Sequence, residues 1–200
     1  LCQSQSWKRF YQDLTHLPSS RFSIIKNWLD PLPYFELPIQ QKSDNQVNVL
    51  FLGWIEKNKG NYELVLTVKK YQKLLPNFTF VVCGKGSELR NIKKLVAQYD
   101  LKHCFEFKGW VVGDEKLAVL RDADILVMPS YREGLPNSLL EAMASGCSVI
   151  ASSVGAIPDV IKNKQNGILI EKSNIDQLAN ALIYLSSSSQ IRIKMGRLAR

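Results

Sequence analysis

Residues 47–84 read VNVLFLGWIEKNKGNYELVLTVKKYQKLLPNFTFVVCG. Two apolar runs bound the stretch, Val47–Gly53 and Phe78–Gly84, and each closes on Gly. Between them, Asn61–Leu75 carries Leu64, Val68, Tyr71 and Leu75 at spacings of three and four, which is one face of a helix. Pro76-Asn77 marks its end. Two nearly continuous apolar strands joined by an amphipathic helix are the unit of a parallel sheet covered on both faces.

The rhythm continues downstream. Gly86–Asp100 has helical spacing in Leu89, Ile92, Val96 and Tyr99. Cys104–Gly109 alternates as a strand, Asp114–Arg121 reads as a short helix, and Ala123–Ser130 as a buried strand. Asn137–Ser145 reads as a helix closed by Gly146 in the left-handed cap position. Ser148–Ser153 and Gly167–Glu171 are further strands; Ile157–Lys162, Ile175–Ser186 and Gln190–Arg200 are further helices. The pattern predicts an α/β, Rossmann-like, doubly wound parallel sheet of about six strands. The first 45 residues break the rhythm: Ser4–Leu14 reads as a helix, Phe22–Lys26 as a short strand and Asp30–Pro38 as an extended Pro-rich connection.

Composition narrows the class. The chain has 200 residues, 46% of them hydrophobic and 22% charged, too apolar for disorder. No run of about 18 uncharged apolar residues exists, so no spanning helix is expected. The N-terminal ten residues lack the apolar stretch of a signal peptide. The chain does not begin with Met, and we expect it to be part of a longer protein. Cys2, Cys83, Cys104 and Cys147 are far apart and there are only 2 His, which argues against a zinc site or a disulfide framework and for reduced thiols in a cytosolic protein. The net charge of +8 favours anionic partners without choosing among them. Arg192, Lys194, Arg197 and Arg200 concentrate part of it in the last helix.

In an open parallel sheet, ligands bind beyond the C-terminal strand ends, here the loops 53–60, 84–88, 109–113, 130–137 and 153–157. Loop 130–137, SYREGLPN, runs into a helix start that carries Ser138 and Glu141. Free amides and the positive dipole end there suit an anion. Glu133 and Glu141 can point at one crevice, and carboxylates accept paired O–H donors from vicinal diols. Locally, Glu133 reads equally as a solvated acid beside Arg132. Glu141 reads equally as a surface helix acid, although no Lys or Arg stands four residues away. Lys57 and Lys59, just past the first strand, can neutralise a diphosphate or simply be surface lysines. Cys83-Gly84-Lys85-Gly86-Ser87-Glu88 lacks the third Gly of GxGxxG; there is no GxxxxGK[ST] and no GxSxG. His16 and His103 have no motif context and read as structural or solvated.

The segment 129–146, PSYREGLPNSLLEAMASG, resembles the signature of family 4 (group 1) glycosyltransferases, with Glu133 and Glu141 in its E-x7-E spacing. Other pieces match in order: Ile25–Asp30 (IKNWLD) resembles the "NGVD" entry, and Gly53 with Lys59-Gly60 the "GR…KG" loop. Val82–Gly86, Phe107–Gly109, Val154–Asp159 and Met195–Arg200 also fall into place, so the resemblance covers about residues 20–200. It implies the C-terminal, donor-binding half of a GT-B enzyme. Residues 1–45 would be the end of the N-terminal domain and linker, 46–188 the nucleotide-sugar-binding domain, and 189–200 the start of a C-terminal helix.

The resemblance also implies transfer of a sugar with retention, to an acceptor glycan or lipid-linked sugar. The donor would be a nucleotide sugar, with a UDP-sugar favoured, and no metal or other cofactor is expected. Glu141 would bind the ribose hydroxyls and Glu133 the transferred sugar. The amides around Gly134, Leu135, Pro136, Asn137 and Ser138 would meet sugar and diphosphate, beside Gly53 and Trp54. Lys59 would stabilise the leaving diphosphate, and Val111 would lie beside the nucleobase. The implied setting is cytoplasmic, compatible with peripheral contact to an anionic membrane surface, with no nucleic-acid partner. Without the N-terminal domain the fragment should be inactive. Three positions depart from the family pattern: Trp54 stands for the commoner Arg, Leu135-Pro136 for Phe-Gly, and Asp159 for Glu. Pro136 removes an amide donor, and Lys57 could replace the Arg.

Two other readings compete. A nicotinamide-dependent oxidoreductase or epimerase would need GxGxxG after the first strand, which Gly53–Gly60 does not supply. A basic surface-binding module would need a contiguous cationic face; no aromatic-basic interleaving marks nucleic acid.

Overall fold

The computed structural model describes residues 1–38, 45–75 and 77–200. The helix stop expected at Pro76 and the linker residues 39–44 lie outside the described residues. Six strands form one all-parallel sheet: β1 Val47–Leu52, β2 Phe78–Cys83, β3 Phe105–Gly109, β4 Ile125–Met128, β5 Ser148–Ser152 and β6 Ile168–Ile170, in the order β3-β2-β1-β4-β5-β6. This is the doubly wound α/β arrangement expected from the apolar runs.

Eight helices accompany it among the described residues: α1 Gln5–Thr15, α2 Leu32–Phe35, α3 Asn61–Tyr71, α4 Leu89–Gln98, α5 Gly113–Asp122, α6 Asn137–Ala144, α7 Ile175–Ser186 and α8 Ser189–Ala199. Alternation along the strands decides which face each side chain enters. Val47, Val49 and Phe51 of β1, with Phe78, Phe80 and Val82 of β2, pack under α3, α4 and α7. Leu50, Leu126, Met128, Val149 and Ala151 pack on the other face against α5 and α6. Stacking of Phe78, Phe80, Phe105 and Phe107 continues the first layer to the sheet edge.

The end of α6 shows why its sequence stops where it does. Gly146 adopts φ 77°. Its N–H reaches Met143 O at 2.9 Å and that of Cys147 reaches Ala142 O at 3.0 Å. That is the paired closure of a Schellman cap. α8 then packs on this turn so closely that a Cβ at Gly196 would lie 1.9 Å from Gly146 O.

Several expectations are corrected. The helix read over 157–162 is a 3-10 turn, Ile157–Asp159; beyond it the Asn166 side chain, rather than a further helical turn, engages the Val160 carbonyl and the Lys162 N–H at 3.0 and 2.7 Å. The strand read over 22–26 is one parallel bridge, Cys2 to Ile24. The extended reading of 30–38 gives way to the single turn α2, where Pro31 O accepts from Tyr34 and Phe35 at 3.1 and 2.9 Å. The last helix forms as expected, and part of its positive charge is engaged within the chain. Arg192 is buried, and Arg200 lies over the Phe35 ring at 5.1 Å and donates to Leu37 O, Tyr34 O and Phe35 O. Among the described residues, no helix is long and apolar enough to cross a membrane. No disulfide forms among the described residues, and burial pushes the Cys83 thiol up to about 11.

Candidate nucleotide-sugar site

β1 and β4 are adjacent, and from their C-terminal ends the chain departs to opposite faces, to α3 and to α6. Such a switch point leaves a crevice outside the sheet. A pocket of about 530 Å³ opens there. Lys59, Glu133, Gly53, Trp54 and Val111 line it, as do the run 134–138 and Glu141, so the residues that the family resemblance assigns to the site meet in one cavity. Lys57, considered as a replacement for the missing Arg, is not among the lining side chains.

Local chain geometry brings Lys59 into position. It ends a 3-10 turn, Lys57–Lys59, and Gly60 follows with φ 74°. A Cβ at Gly60 would stand 2.0 Å from Pro129 O, so only Gly lets this loop close on the end of β4. The Tyr131 N–H adds a bond to Asn58 O at 2.9 Å. The Lys59 ammonium then donates to both Glu133 oxygens at 2.9 Å. Glu133 is therefore neither solvated nor paired with Arg132; its side chain is only 8% exposed.

Glu141 likewise has a cation that sequence spacing did not reveal. Lys116, from α5, donates to its Oε1 at 2.8 Å and also lines the pocket. The buried Tyr34 of α2 completes the cluster. Burial raises the Tyr34 pKa above its ordinary value, and the Glu141 charge raises it further. Burial pulls Lys116 down, but the bond to Glu141 and its charge outweigh this and leave the ammonium raised. Two lysines and two glutamates are thus the charged side chains of the cavity wall. An entering dianion finds the Lys59 cation already held in place, and each carboxylate keeps lone pairs for hydroxyl donors.

Between the two carboxylates lies the start of α6. Pro136 is its N-cap and provides no side-chain cap. The amides of Asn137 and Ser138 have no intrahelical acceptor by helix geometry. Together with the dipole they form an anion site facing the cavity. Ser130 adds a buried hydroxyl, 1% exposed, that finds no protein partner and also lines the pocket. Such an orphan costs about 1–3 kcal/mol unless a ligand or water meets it. Ser130→Ala is therefore expected to leave the melting temperature unchanged or raised, while weakening nucleotide binding several-fold, about 1 kcal/mol. Parallel thermal melts and titration calorimetry check both halves.

On the rim, Trp54 and Trp110 pair at 5.1 Å between centroids, with the Lys85 ammonium 5.5 and 4.8 Å from their rings. The first 30 residues also hold the site loop. Trp7 Nε1 donates to Glu133 O at 3.2 Å, Asn27 Nδ2 to Leu135 O at 2.6 Å, and Ser6 Oγ to Gly155 O at 2.7 Å. Gln3 lies against Gly134, where a Cβ would meet its Oε1 at 2.0 Å. Sequence reading gave these residues no role. Only Asn27, within the stretch read as the "NGVD" match, offered a signal.

A family model described as glycosyl transferases group 1 matches residues 35–200. Among curated relatives, an uncharacterized glycosyltransferase of Methanocaldococcus jannaschii is 29% identical over 88% of this chain and 47% of its own length. The D-inositol 3-phosphate glycosyltransferase of Corynebacterium jeikeium is 30% identical over 74% of this chain and 37% of its own. The chain thus spans less than half the length of these relatives. Among solved structures, the C-terminal domain of a group 1 glycosyl transferase from Francisella tularensis has a TM-score of 0.74 at 29% identity, covering 86% of this chain and 94% of that one. Anabaena Alr3699/HepE, solved with UDP, gives a TM-score of 0.86 at 18% identity over 99% of this chain and 56% of its own, a likeness of fold. A family match over residues 35–200 and a six-stranded Rossmann-like sheet of the GT-B type place the chain in the group 1 glycosyl transferases.

Proposed function

We propose that this chain binds the donor in an enzyme that moves a sugar from a nucleotide sugar to an acceptor glycan or lipid-linked sugar with retention. One observation carries the reading. Two Lys–Glu pairs and the open start of α6 converge on a single cavity at the switch point. Glu141 takes the ribose diol, and the α6 amides with Lys59 take the diphosphate. Glu133, released from Lys59 as the phosphate arrives, takes hydroxyls of the sugar. As the sugar–phosphate bond breaks, charge grows on the departing diphosphate, and a cation fixed beside it stabilises the transition state more than the ground state.

Relatives and neighbours support this. An Escherichia coli relative, 32% identical over 70% of this chain, is named a UDP-Gal galactosyltransferase acting on a diphosphoundecaprenol-linked GlcNAc. Anabaena HepE was solved with UDP and glucose. A UDP-sugar is accordingly the donor we favour, with no metal or cofactor, Val111 beside the base, and a preceding domain supplying the acceptor site. Residues 1–45 then belong to the end of that domain and the linker, and residues 189–200 to the start of the closing helix. The setting is cytoplasmic, with peripheral contact to an anionic membrane face.

Titration calorimetry of the chain with UDP, GDP and ADP tests the reading. Saturable binding of one of them that Glu141→Ala weakens supports it. No binding of any nucleoside diphosphate, or binding of NADH instead, overturns it.

A further inference from the structure

Glu141 is held by two side chains from distant parts of the chain. Lys116, on α5, reaches Oε1 at 2.8 Å; the Lys and Glu side chains are 28% and 13% exposed. Tyr34, on α2, is buried and interacts through its hydroxyl with both. The α2 turn is fixed in turn by Arg200 at the far end of α8, which spans the carbonyls of Tyr34 and Leu37 at 3.5 and 3.4 Å.

The chemistry of this cluster is specific. An ammonium on one oxygen fixes the orientation of the carboxylate and leaves the second oxygen, with the spare lone pair on the first, for two hydroxyls. The Tyr34 hydroxyl, held protonated by burial and by the carboxylate charge, stays a donor toward that carboxylate.

We propose that Lys116 and Tyr34 are positioning residues that hold Glu141 aimed into the pocket, so that selectivity for the nucleotide cis-diol depends on both. This rests on the reading that Glu141 binds the ribose. The segment before the sheet thereby takes part in donor recognition.

Calorimetry with UDP and with 2′,3′-dideoxy-UDP tests it on the wild-type chain and on Lys116→Met. The wild type should prefer UDP. Lys116→Met should lower UDP affinity by about 10-fold or more, the scale of a lost charged hydrogen bond, and leave the dideoxy nucleotide within about 2-fold. Tyr34→Phe keeps the ring packing and should shift UDP alone in the same direction, by about 3-fold or more. It decides the matter if Lys116→Met does not fold. Equal losses for both nucleotides would make Lys116 a simple phosphate cation and overturn the inference. Diol discrimination retained in both variants overturns it as well. No discrimination by the wild type overturns the Glu141 reading, and this inference with it.

Discussion

Arg192→Ala is expected to destabilise the chain by about 3–5 kcal/mol, the cost of breaking a buried ion pair from one side. Arg192 is 1% exposed and lies 3.7 Å from Asp124 Oδ1 through Nε. Its Nη1 donates to Leu185 O at 2.7 Å, at the end of α7, while its own carbonyl accepts from Ser148 Oγ at 2.9 Å. Asp124 in turn accepts the Asn48 N–H at 2.8 Å. The guanidinium thus ties α7 and α8 to the entry points of β1 and β4, while the Arg192 carbonyl separately holds the start of β5. These contacts sit at the N-terminal strand ends, opposite the pocket. Nucleotide affinity of the folded fraction should therefore be unchanged. Denaturant unfolding with calorimetry on the same samples separates the two effects. A loss below about 1 kcal/mol would mean that solvent reaches the site and that the pair contributes little.

Glu141→Ala is expected to weaken nucleotide binding by about 1–3 kcal/mol, the scale of hydrogen bonds to a charged group. The substitution removes the diol acceptor and also strips Lys116 of the bond and charge that hold its pKa up, leaving burial to pull it down. Glu141→Gln keeps the shape but not the charge, and should fall between wild type and Ala. Stability should change little, because Leu139, Ala142 and Met143 supply the buried face of α6. Calorimetry with UDP reads the effect. Unchanged affinity would remove Glu141 from the site.

The inner strands were legible because they are buried on both faces, which leaves near-continuous apolar runs such as VNVLFLG and ADILVMPS, while the edge strand β3 showed by alternation. The pocket loops were legible because they follow strand ends, where the topology gathers them, and the family resemblance then singled out residues within them. Their partners were not. Lys59 and Glu133 are 74 positions apart, and Lys116 and Glu141 are 25. Spacing along one helix reveals neighbours three or four residues away, not a lysine on another helix. The N-terminal segment was obscure for a related reason. Trp7 and Asn27 act on carbonyls of loop 133–137, and carbonyls leave no trace in side-chain patterning. The helix read over 157–162 buries Ile157 and Ile161 but runs only as a 3-10 turn, because the Asn166 side chain takes the backbone groups of Val160 and Lys162.

The most direct measurement of the central claim is a crystal structure of this chain soaked with a UDP-sugar. The account predicts the nucleotide in the cavity between Gly53 and α6, with ribose hydroxyls on Glu141 and the diphosphate on the Asn137 and Ser138 amides. Lys59 should have turned from Glu133 to phosphate. A nucleotide bound elsewhere on the sheet, or bound here with Lys59 still on Glu133 and no contact to Glu141, would contradict it.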